Sequence, residues 1–131
     1  MTPFLVSHYA VDAVFPKAAP ILAKALGTHT GLTLADLGAI CSNRGAFLFV
    51  NCIDHPKDAL VGRFETWNGQ PVFNILAMGG EGEHWPEAME TIKQFARQYG
   101  ASKVVFHGRR GWARALPETR EIYRTYAIEL N

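Results

Sequence analysis

The chain has 131 residues, of which 48% are hydrophobic and 19% are charged, and its formal net charge is +1 at pH 7. This length and mixed composition predict one domain, over residues 1–131, with room for one sizeable core. Acidic and basic residues are interspersed and nearly equal in number, so no extended field attracts nucleic acid or an anionic membrane.

The cysteine content and the lengths of the apolar runs further limit which class of protein this can be. The two cysteines, Cys41 and Cys52, are too few for a disulfide framework and lie in apolar surroundings, so we expect buried, reduced thiols. The first residues lack a basic segment followed by an apolar stretch, and no apolar run approaches the ~20 residues of a membrane helix. We therefore expect a cytoplasmic protein.

The first part of the chain predicts a strand and then a helix. Residues 4–9 form a short, largely apolar run that is typical of a strand, and residues 14–26 place apolar side chains on one helical face. Pro16 and Pro20 cannot both lie deep inside a helix, so we expect its first turn to begin late or to be distorted. Gly27 is expected to end this helix.

A second, shorter helix is predicted by a capping pattern. Thr33, followed three residues later by Asp36, resembles a capping box, and apolar residues recur at helical spacing after it. The Asn-Arg-Gly segment at 43–45 is expected to end this helix.

An antiparallel meander of three strands is predicted to follow. Residues 46–52 form its first strand, residues 54–58 form a turn, and residues 59–66 form its second strand. Asn68-Gly69 then predicts a tight hairpin, because a type I′ turn needs positive φ at both central positions.

The third strand of the meander, residues 72–77, opens a predicted β-α-β unit. The loop after this strand contains three glycines, Gly79, Gly80 and Gly82. The next helix has Pro86 in its first turn and one apolar face, formed by Trp85, Met89, Ile92, Phe95, Ala96 and Tyr99. Gly100 is expected to end the helix in a left-handed conformation, and residues 103–107 then fit a strand parallel to the first.

The last part of the chain predicts a short helix and a final strand. Residues 111–116 fit the helix, which runs into Pro117, and residues 122–130 place Ile122, Tyr126, Ile128 and Leu130 on one side of a strand. The whole chain thus predicts an α/β (α+β) fold with the order β-α-α-β-β-β-α-β-α-β. Its mixed central sheet has six or seven strands, with helices on both faces.

This order, with a glycine loop between the fourth strand and the third helix, resembles the GNAT fold of N-acetyltransferases over nearly the whole chain. The stretch H-G-R-R-G-W-A-R-A-L and the later Y-A-I-E-L are similar to the GNAT ending, in which a short helix precedes a last strand. They also resemble small GNAT-like proteins of tailed bacteriophages, in which a G-R-R-G-W-A-R stretch recurs.

The resemblance implies a site for acetyl-CoA between the fourth and fifth strands. The pyrophosphate of acetyl-CoA would lie on amides at the start of the third helix, where unpaired N–H groups and the helix dipole favour an anion. The candidate cofactor-binding residues are Ala77, Met78, Gly79, Gly80 and Gly82. The loop lacks the Arg or Gln of the family pattern and adds Glu81 and Glu83, whose charge opposes a pyrophosphate, so we expect weak binding.

The same resemblance implies a base and an acid for amine acetylation. His84 is the candidate base, and Tyr123 or Tyr126 is the candidate acid, although aromatic packing also accounts for the two tyrosines. Asp54, His55 and Asp58 lie in a turn without Cys or His at metal-binding spacing, so we expect no metal.

Arg109, Arg110, Trp112 and Arg114 form the one local cluster of basic residues with an aromatic. Arg and Trp are enriched at interface hot spots, so this segment predicts contact with a protein partner or self-association rather than with nucleic acid.

Two functions remain open from the sequence. The favoured one is a GNAT-fold protein with an eroded acetyl-CoA site and no cofactor, which acts as a non-catalytic interaction or structural component, plausibly of a phage particle. The alternative is an acetyl-CoA-dependent N-acetyltransferase that acts on an amine. Fold alone does not decide between them.

Overall fold

A computed structural model of the protein describes residues 3–26, 31–80, 85–107, 114–122 and 126–130. The strands are β1 (Phe4–Leu5), β2 (Phe47–Val50), β3 (Ala59–Trp67), β4 (Gln70–Gly79) and β5 (Lys103–Phe106). The helices are α1 (Val11–Leu26), α2 (Leu34–Ser42) and α3 (Trp85–Gln98). Along the described chain the order is β1-α1-α2-β2-β3-β4-α3-β5.

The five strands form one sheet in the order β1-β2-β3-β4-β5. Strands β1 to β4 pair antiparallel, and β5 lies parallel to β4. Asn68 and Gly69, between β3 and β4, have φ angles of 51° and 79°, the positive values that a type I′ turn needs. The predicted meander and the predicted parallel β-α-β unit are therefore confirmed.

Helices pack on both faces of the sheet, as predicted. Helices α1 and α2 cover one face, where the buried side chains are mostly aliphatic and include Val14, Leu22, Leu37, Leu48 and Val61. Helix α3 covers the other face, where the buried side chains include Phe49, Phe73, Trp85, Met89 and Ile92. Trp85 and Met89 are 2% and 4% exposed, which confirms that this side of α3 faces the sheet.

Helix α1 contradicts the predicted late start. It begins at Val11 rather than at Val14 and contains both Pro16 and Pro20. Each proline removes a backbone donor, at roughly 3 kcal/mol in a helix interior. The prolines are exposed, whereas an apolar stripe is buried: Val11, Val14, Ala18, Leu22 and Leu26. At about 1.5–3 kcal/mol for each larger side chain, this burial outweighs the loss of the two hydrogen bonds.

The capping pattern of α2 is confirmed. Thr33 Oγ1 accepts a hydrogen bond from the Asp36 N–H at 3.0 Å, and Asp36 Oδ2 accepts one from the Thr33 N–H at 2.9 Å. The helix ends in the predicted Asn-Arg-Gly segment, where the Gly45 N–H donates to Ile40 O at 2.8 Å. The left-handed residue is Arg44, with φ of 63°, rather than the glycine.

Gly100 ends α3 as predicted. Its φ is 88°, and its N–H donates to Arg97 O at 3.0 Å. The Ala101 N–H donates to Ala96 O at 3.0 Å. These two hydrogen bonds form a Schellman motif, which turns the chain from α3 into β5.

Two predicted strands differ from the structure. The strand predicted over residues 4–9 shortens to Phe4–Leu5, and residues 126–130 form no strand, so the described sheet has five strands rather than six or seven. Tyr126, Ile128 and Leu130 are 80%, 88% and 93% exposed. Alternating apolar residues indicate a shared face, but they do not supply a sheet edge with which the segment can pair.

The predictions of buried thiols and of no membrane helix can be compared with the structure. Cys41 is buried, as predicted, but Cys52 is only half-buried, since it follows the end of β2. Burial raises the pKa of the Cys41 thiol to about 11, so the thiol stays protonated at neutral pH. In the described ranges, no helix combines the length and the hydropathy that crossing a membrane requires.

Candidate active site

Two parts of strand β4 differ in their neighbouring strands among the described residues. Residues 72–75 pair with β5, and the last pair is Ile75 with Phe106. Residues 76–79 continue beside β3, where Gly79 pairs with Ala59, but no described residue of β5 lies beside them. We call residues 76–79 the open half of β4. The edge that faces away from β3 can therefore bind an extended ligand through backbone N–H and C=O groups.

An irregularity in β4 coincides with the start of the open half. Gly62 pairs with Ile75, whereas the neighbouring Val61 pairs with Ala77, so Leu76 has no opposite residue on β3. A β-bulge of this kind bends the strand and increases its twist. The bulge therefore lies where the pairing of β4 with the described part of β5 ends.

Helices hold the open half from both faces. A Cβ at Gly79 would lie 3.3 Å from Ala25 Cβ and 3.3 Å from Ile21 O of α1, so the glycine allows that helix to pack closely. Met78 is buried in the same cluster as Trp85 and Met89 of α3. The open half is thus fixed by side-chain packing rather than by a second neighbouring strand.

Gly80 is required by its packing against the connection between β2 and β3. Its φ is 144°, and an added Cβ would overlap Asp58 Oδ1 and lie 2.6 Å from Lys57 O. The connection itself is ordered, because Asn51 Oδ1 accepts hydrogen bonds from the N–H groups of Lys57 and Asp58 at 2.9 and 3.0 Å. Close packing therefore accounts for Gly79 and Gly80 without a ligand.

A polar cluster lies on the sheet beside the paired half of β4. The Glu65 carboxylate accepts three hydrogen bonds: from Arg63 Nε at 2.7 Å, from Trp67 Nε1 at 2.8 Å and from Asn74 Nδ2 at 2.8 Å. Arg63, Glu65 and Trp67 alternate along β3 and share one face, and Arg63 is the register partner of Asn74. We call these four residues the Glu65 cluster.

Asn74 carries an unsatisfied oxygen. The residue is 7% exposed, and in the part of the chain that the structure describes no donor lies within hydrogen-bond distance of its Oδ1. The orientation of the amide is fixed by chemistry, because a flipped amide would place Oδ1 against the Glu65 carboxylate. Buried polar atoms are usually hydrogen-bonded, so this oxygen makes the position costly to the stability of the fold.

The electrostatics of the cluster make Glu65 a weak base. Burial by itself raises the pKa of the carboxyl, but hydrogen bonds from Arg63, Trp67 and Asn74 and the charge of Arg63 hold the pKa below its ordinary value. A carboxylate that already accepts three hydrogen bonds takes up a proton poorly at neutral pH. Glu65 is therefore suited to positioning its neighbours.

The structure places only some of the predicted site residues. Ala77 and Met78 lie in the open half, next to Gly79, and Gly80 follows it. Arg114 is exposed, and Tyr126 is exposed outside any helix or strand, away from a position where a catalytic acid would be enclosed. The other candidates lie outside the described residues: Gly82, His84, Arg109, Arg110, Trp112 and Tyr123.

No described group of three or more His, Cys, Asp or Glu residues is arranged to hold a metal ion. The Glu65 cluster was missed by the sequence analysis, because its members are separated along the chain by the hairpin. A signal was present, however. A two-residue turn at Asn68-Gly69 fixes the register of β3 and β4, and that register places Asn74 beside Arg63 and close to Glu65.

Comparisons with known proteins give the fold a context. No protein-family model matches the sequence, and no curated protein is significantly similar to it. An acetyltransferase from Trypanosoma brucei is 14% identical, with a TM-score of 0.66 over 98% of each chain. A ribosomal-protein-alanine N-acetyltransferase from Brucella melitensis is 13% identical, with a TM-score of 0.65 over 98% of each chain. An aminoglycoside acetyltransferase from an uncultured soil sample, solved with sisomicin, is 11% identical, with a TM-score of 0.68 over 99% of this chain and 96% of its own.

These solved structures establish that the chain has the GNAT fold of acetyltransferases. The predicted GNAT fold is therefore confirmed. They do not show the resemblance to bacteriophage proteins.

Proposed function

We propose that this protein is an acetyl-CoA-dependent N-acetyltransferase, which moves an acetyl group from the coenzyme A thioester to an amine. The observation that carries the proposal is the open half of β4, which offers a fixed sheet edge beyond the last described pair of β4 with β5. The pantetheine arm of coenzyme A is extended and contains amide groups, so it fits such an edge as an added strand would.

Residues of the open half would hold the arm with their backbone groups. Leu76, Ala77, Met78 and Gly79 would supply N–H donors and C=O acceptors, while α1 and α3 keep the strand in place. Acetyl-CoA itself supplies an acetyl group activated as a thioester. The start of the open half, next to the last pair of Ile75 with Phe106, would receive that group.

The environment of Cys41 does not suit a covalent acetyl-enzyme on that thiol, which favours direct attack by the amine. Cys41 is buried and its pKa is raised to about 11, so its thiol is neither accessible nor ionised at neutral pH. In the direct reaction the amine nitrogen forms the new bond to the acetyl carbon and the carbon–sulfur bond breaks. The nitrogen loses a proton, and the coenzyme A thiolate or solvent takes one up.

A non-catalytic structural role is the second candidate, and one observation favours it. Gly79 and Gly80 are both accounted for by close packing, so these glycines are not by themselves evidence for a pyrophosphate site. Glu81 and Glu83, which follow them in sequence, oppose an anion by charge. A partner surface at Arg109, Arg110, Trp112 and Arg114 belongs to this second candidate, as does a place in a phage particle.

An acetyl-transfer assay separates the two functions. Purified protein is incubated with acetyl-CoA and either sisomicin or a peptide with N-terminal alanine, two amines suggested by the names of the structural relatives. Release of free coenzyme A thiol and the gain of one acetyl group by mass spectrometry are the readouts. We expect transfer to at least one amine, inhibition by desulfo-coenzyme A, and unchanged rates for Tyr126→Phe. Absence of both acetyl-CoA binding and acetyl transfer would instead favour the non-catalytic role.

A further inference from the structure

Helices α1 and α2 form an open groove between them, which we call the α1–α2 groove. Its volume is about 510 Å³. A Cβ at Gly38 would lie 3.0 Å from the Phe15 ring, so the glycine allows this ring to pack against the backbone of α2. The lining is mostly apolar or small: Phe15, Pro16 and Ala19 from α1, and Leu34, Gly38 and Ala39 from α2.

One end of the groove is acidic. Asp12, near the start of α1, and Ser42, at the end of α2, line this end, and Ser42 Oγ donates to Asp12 Oδ1 at 2.6 Å. Among the described residues that line the groove, only Asp12 is charged. A carboxylate accepts several hydrogen bonds, so Asp12 keeps acceptor capacity for a ligand. We call this the acidic end of the groove.

Two features of the backbone make the acidic end more negative. The C-terminus of a helix carries a partial negative charge, and the last turn of α2, which ends at Ser42, has no basic residue to offset it. Pro16 has no N–H, so the C=O of Asp12 lacks the donor that the next turn of an α-helix supplies. This end of the groove therefore favours a cation that has N–H groups to donate.

Two basic side chains near the ends of these helices make other contacts. The Arg44 guanidinium lies over the Tyr9 ring, 5.6 Å from its centre. Lys17 Nζ lies 3.9 Å from Asp54 Oδ1. Neither basic residue is among the described residues that line the groove, so the carboxylate at its acidic end is available to a cation of a partner.

The shape of the groove sets the kind of partner. Its α1 side runs from Asp12 to Ala19, which is about 10 Å along the helix axis, or about two turns. A small ligand in so open a groove would leave much of its surface in water. A third helix can instead lie along two packed helices and place an apolar face into the groove between them.

We infer that the α1–α2 groove binds an amphipathic helix of a partner protein, with apolar side chains against Phe15 and Leu34 and a lysine or arginine beside Asp12. The inference does not depend on the proposed acetyltransferase function, because α1 packs against the open half of β4 through other residues, Ile21 and Ala25. A contact of about two helical turns is small, so we expect a transient complex.

The first test selects helical peptides on the immobilised wild-type protein, from a library that is randomised on one face. The same selection is made on Ala39→Leu, which fills the groove from an exposed position of α2. Ala13→Leu adds the same side chain at an exposed position of α1 outside the lining and is the matched control. Circular dichroism verifies that each variant folds.

We expect the wild-type protein and Ala13→Leu to select the same peptides, with apolar residues at i, i+4 and i+7 and a lysine or arginine near one end. Ala39→Leu should recover none of them. Selection of acidic or uncharged peptides, equal recovery on Ala39→Leu, or no selection by the wild-type protein would overturn the inference. None of these results bears on acetyl transfer, which is measured separately.

A second test measures the charge contact by fluorescence anisotropy of the selected peptide, and it does not require Ala39→Leu to fold. Asp12→Asn keeps the shape and removes the charge, so we expect the Kd to rise about threefold, as an exposed ion pair implies. The difference should disappear at high salt. Asp54→Asn, an exposed acid outside the lining, is the control and should leave the Kd unchanged. Equal Kd values for Asp12→Asn and wild type would overturn the position of the cation.

Sedimentation of the wild-type protein without peptide distinguishes a separate partner from a second copy of this chain. We expect a monomer. A dimer that dissociates in Ala39→Leu but not in Ala13→Leu would assign the groove to a second copy and would overturn the inference of a separate helical partner.

Discussion

The two halves of β4 differ in how they are stabilised. Residues 72–75 have a strand on each side and obtain their order from hydrogen bonds to β3 and β5. Within the described part of the chain, residues 76–79 pair with β3 alone, and α1 and α3 pack against them. Side-chain packing can thus replace a neighbouring strand in holding a β-strand in place, and this leaves one edge for a ligand.

An exposed sheet edge is normally a risk, because it can pair with another chain. Here the free edge is short, since beyond Ile75 it spans only residues 76–79 of the described strand, and it lies between two helical layers. A narrow extended ligand fits such an edge better than a second sheet does. The comparison of the two halves therefore leads to predictions about stability and about binding.

The largest effect should come from removing the support of α3 under the open half. Trp85 is buried against the sheet beside Met78, so Trp85→Ala should lower the free energy of unfolding by ~3–5 kcal/mol. Tyr99→Ala is the matched control, because Tyr99 is 59% exposed and should cost less than about 1 kcal/mol. Chemical denaturation measures both. A loss below about 1 kcal/mol for Trp85→Ala would show that its ring does not support the sheet.

A smaller effect is expected at the end of the open half. Gly80→Ala places a Cβ against Asp58 and imposes a φ of 144° on a residue with a side chain, so we expect a loss of roughly 1–3 kcal/mol. Gly31→Ala is the control, since nothing lies within 4 Å of an added Cβ there. The same denaturation experiment applies. Equal stability of the two variants would mean that Gly80 does not pack on the connection between β2 and β3.

A distant change should reduce stability without altering either half of β4. Thr33→Ala removes the side chain that caps α2, which should cost about 1 kcal/mol. The affinity for acetyl-CoA should stay the same, because the cap lies at the start of α2. Thr33→Ser, which keeps the hydroxyl, should restore most of the stability. A loss of acetyl-CoA affinity in Thr33→Ala would contradict the assignment of the site to β4.

The smallest effect concerns the pH dependence of stability, through Glu65 beside residues 72–75 of β4. The pKa of Glu65 is lowered in the folded protein, so its contribution to stability is present above the ordinary carboxyl pKa of about 4.3 and is lost as the pH falls through the folded value. Glu65→Gln lacks this titration. The stability of the wild-type protein should therefore fall more steeply with acid than that of the variant, below about pH 4.5, as measured by urea denaturation at several pH values. Parallel pH profiles would show that the carboxylate is not held by its three donors.

Local signals in the sequence predicted much of the fold. Asn68-Gly69 identified the hairpin, Thr33 and Asp36 identified the start of α2, and Gly100 identified the end of α3. Each of these features depends on backbone conformation or on a hydrogen bond within a few residues. Such features can be predicted without knowing which other elements pack nearby.

The incorrect predictions concern features that depend on distant parts of the chain. Pro16 and Pro20 disfavour a helix locally, yet burial of the stripe that includes Val11 and Leu22 keeps α1 intact. The alternating residues 126–130 have the pattern of a strand but no partner in the described sheet. Tertiary contacts decide both cases, and neither could be predicted from local patterns.

The candidate site was predicted only in part. The resemblance to the GNAT fold indicated the region of Ala77 to Gly80, but not the open half as such, because that depends on where β5 stops pairing. The Glu65 cluster requires the register across the hairpin. Its central side chains are nine residues apart along the chain, at Glu65 and Asn74, and only the pairing of β3 with β4 brings them together.

Amide hydrogen exchange along β4, with and without saturating acetyl-CoA, tests the central claim most directly. If the open half binds the pantetheine arm, the amides that gain protection should lie within residues 76–79, while those of residues 72–75 keep the protection they already have. Gln70, at the hairpin end of the same strand, serves as an internal reference. Unchanged exchange at residues 76–79 under conditions where acetyl-CoA is bound would contradict the account.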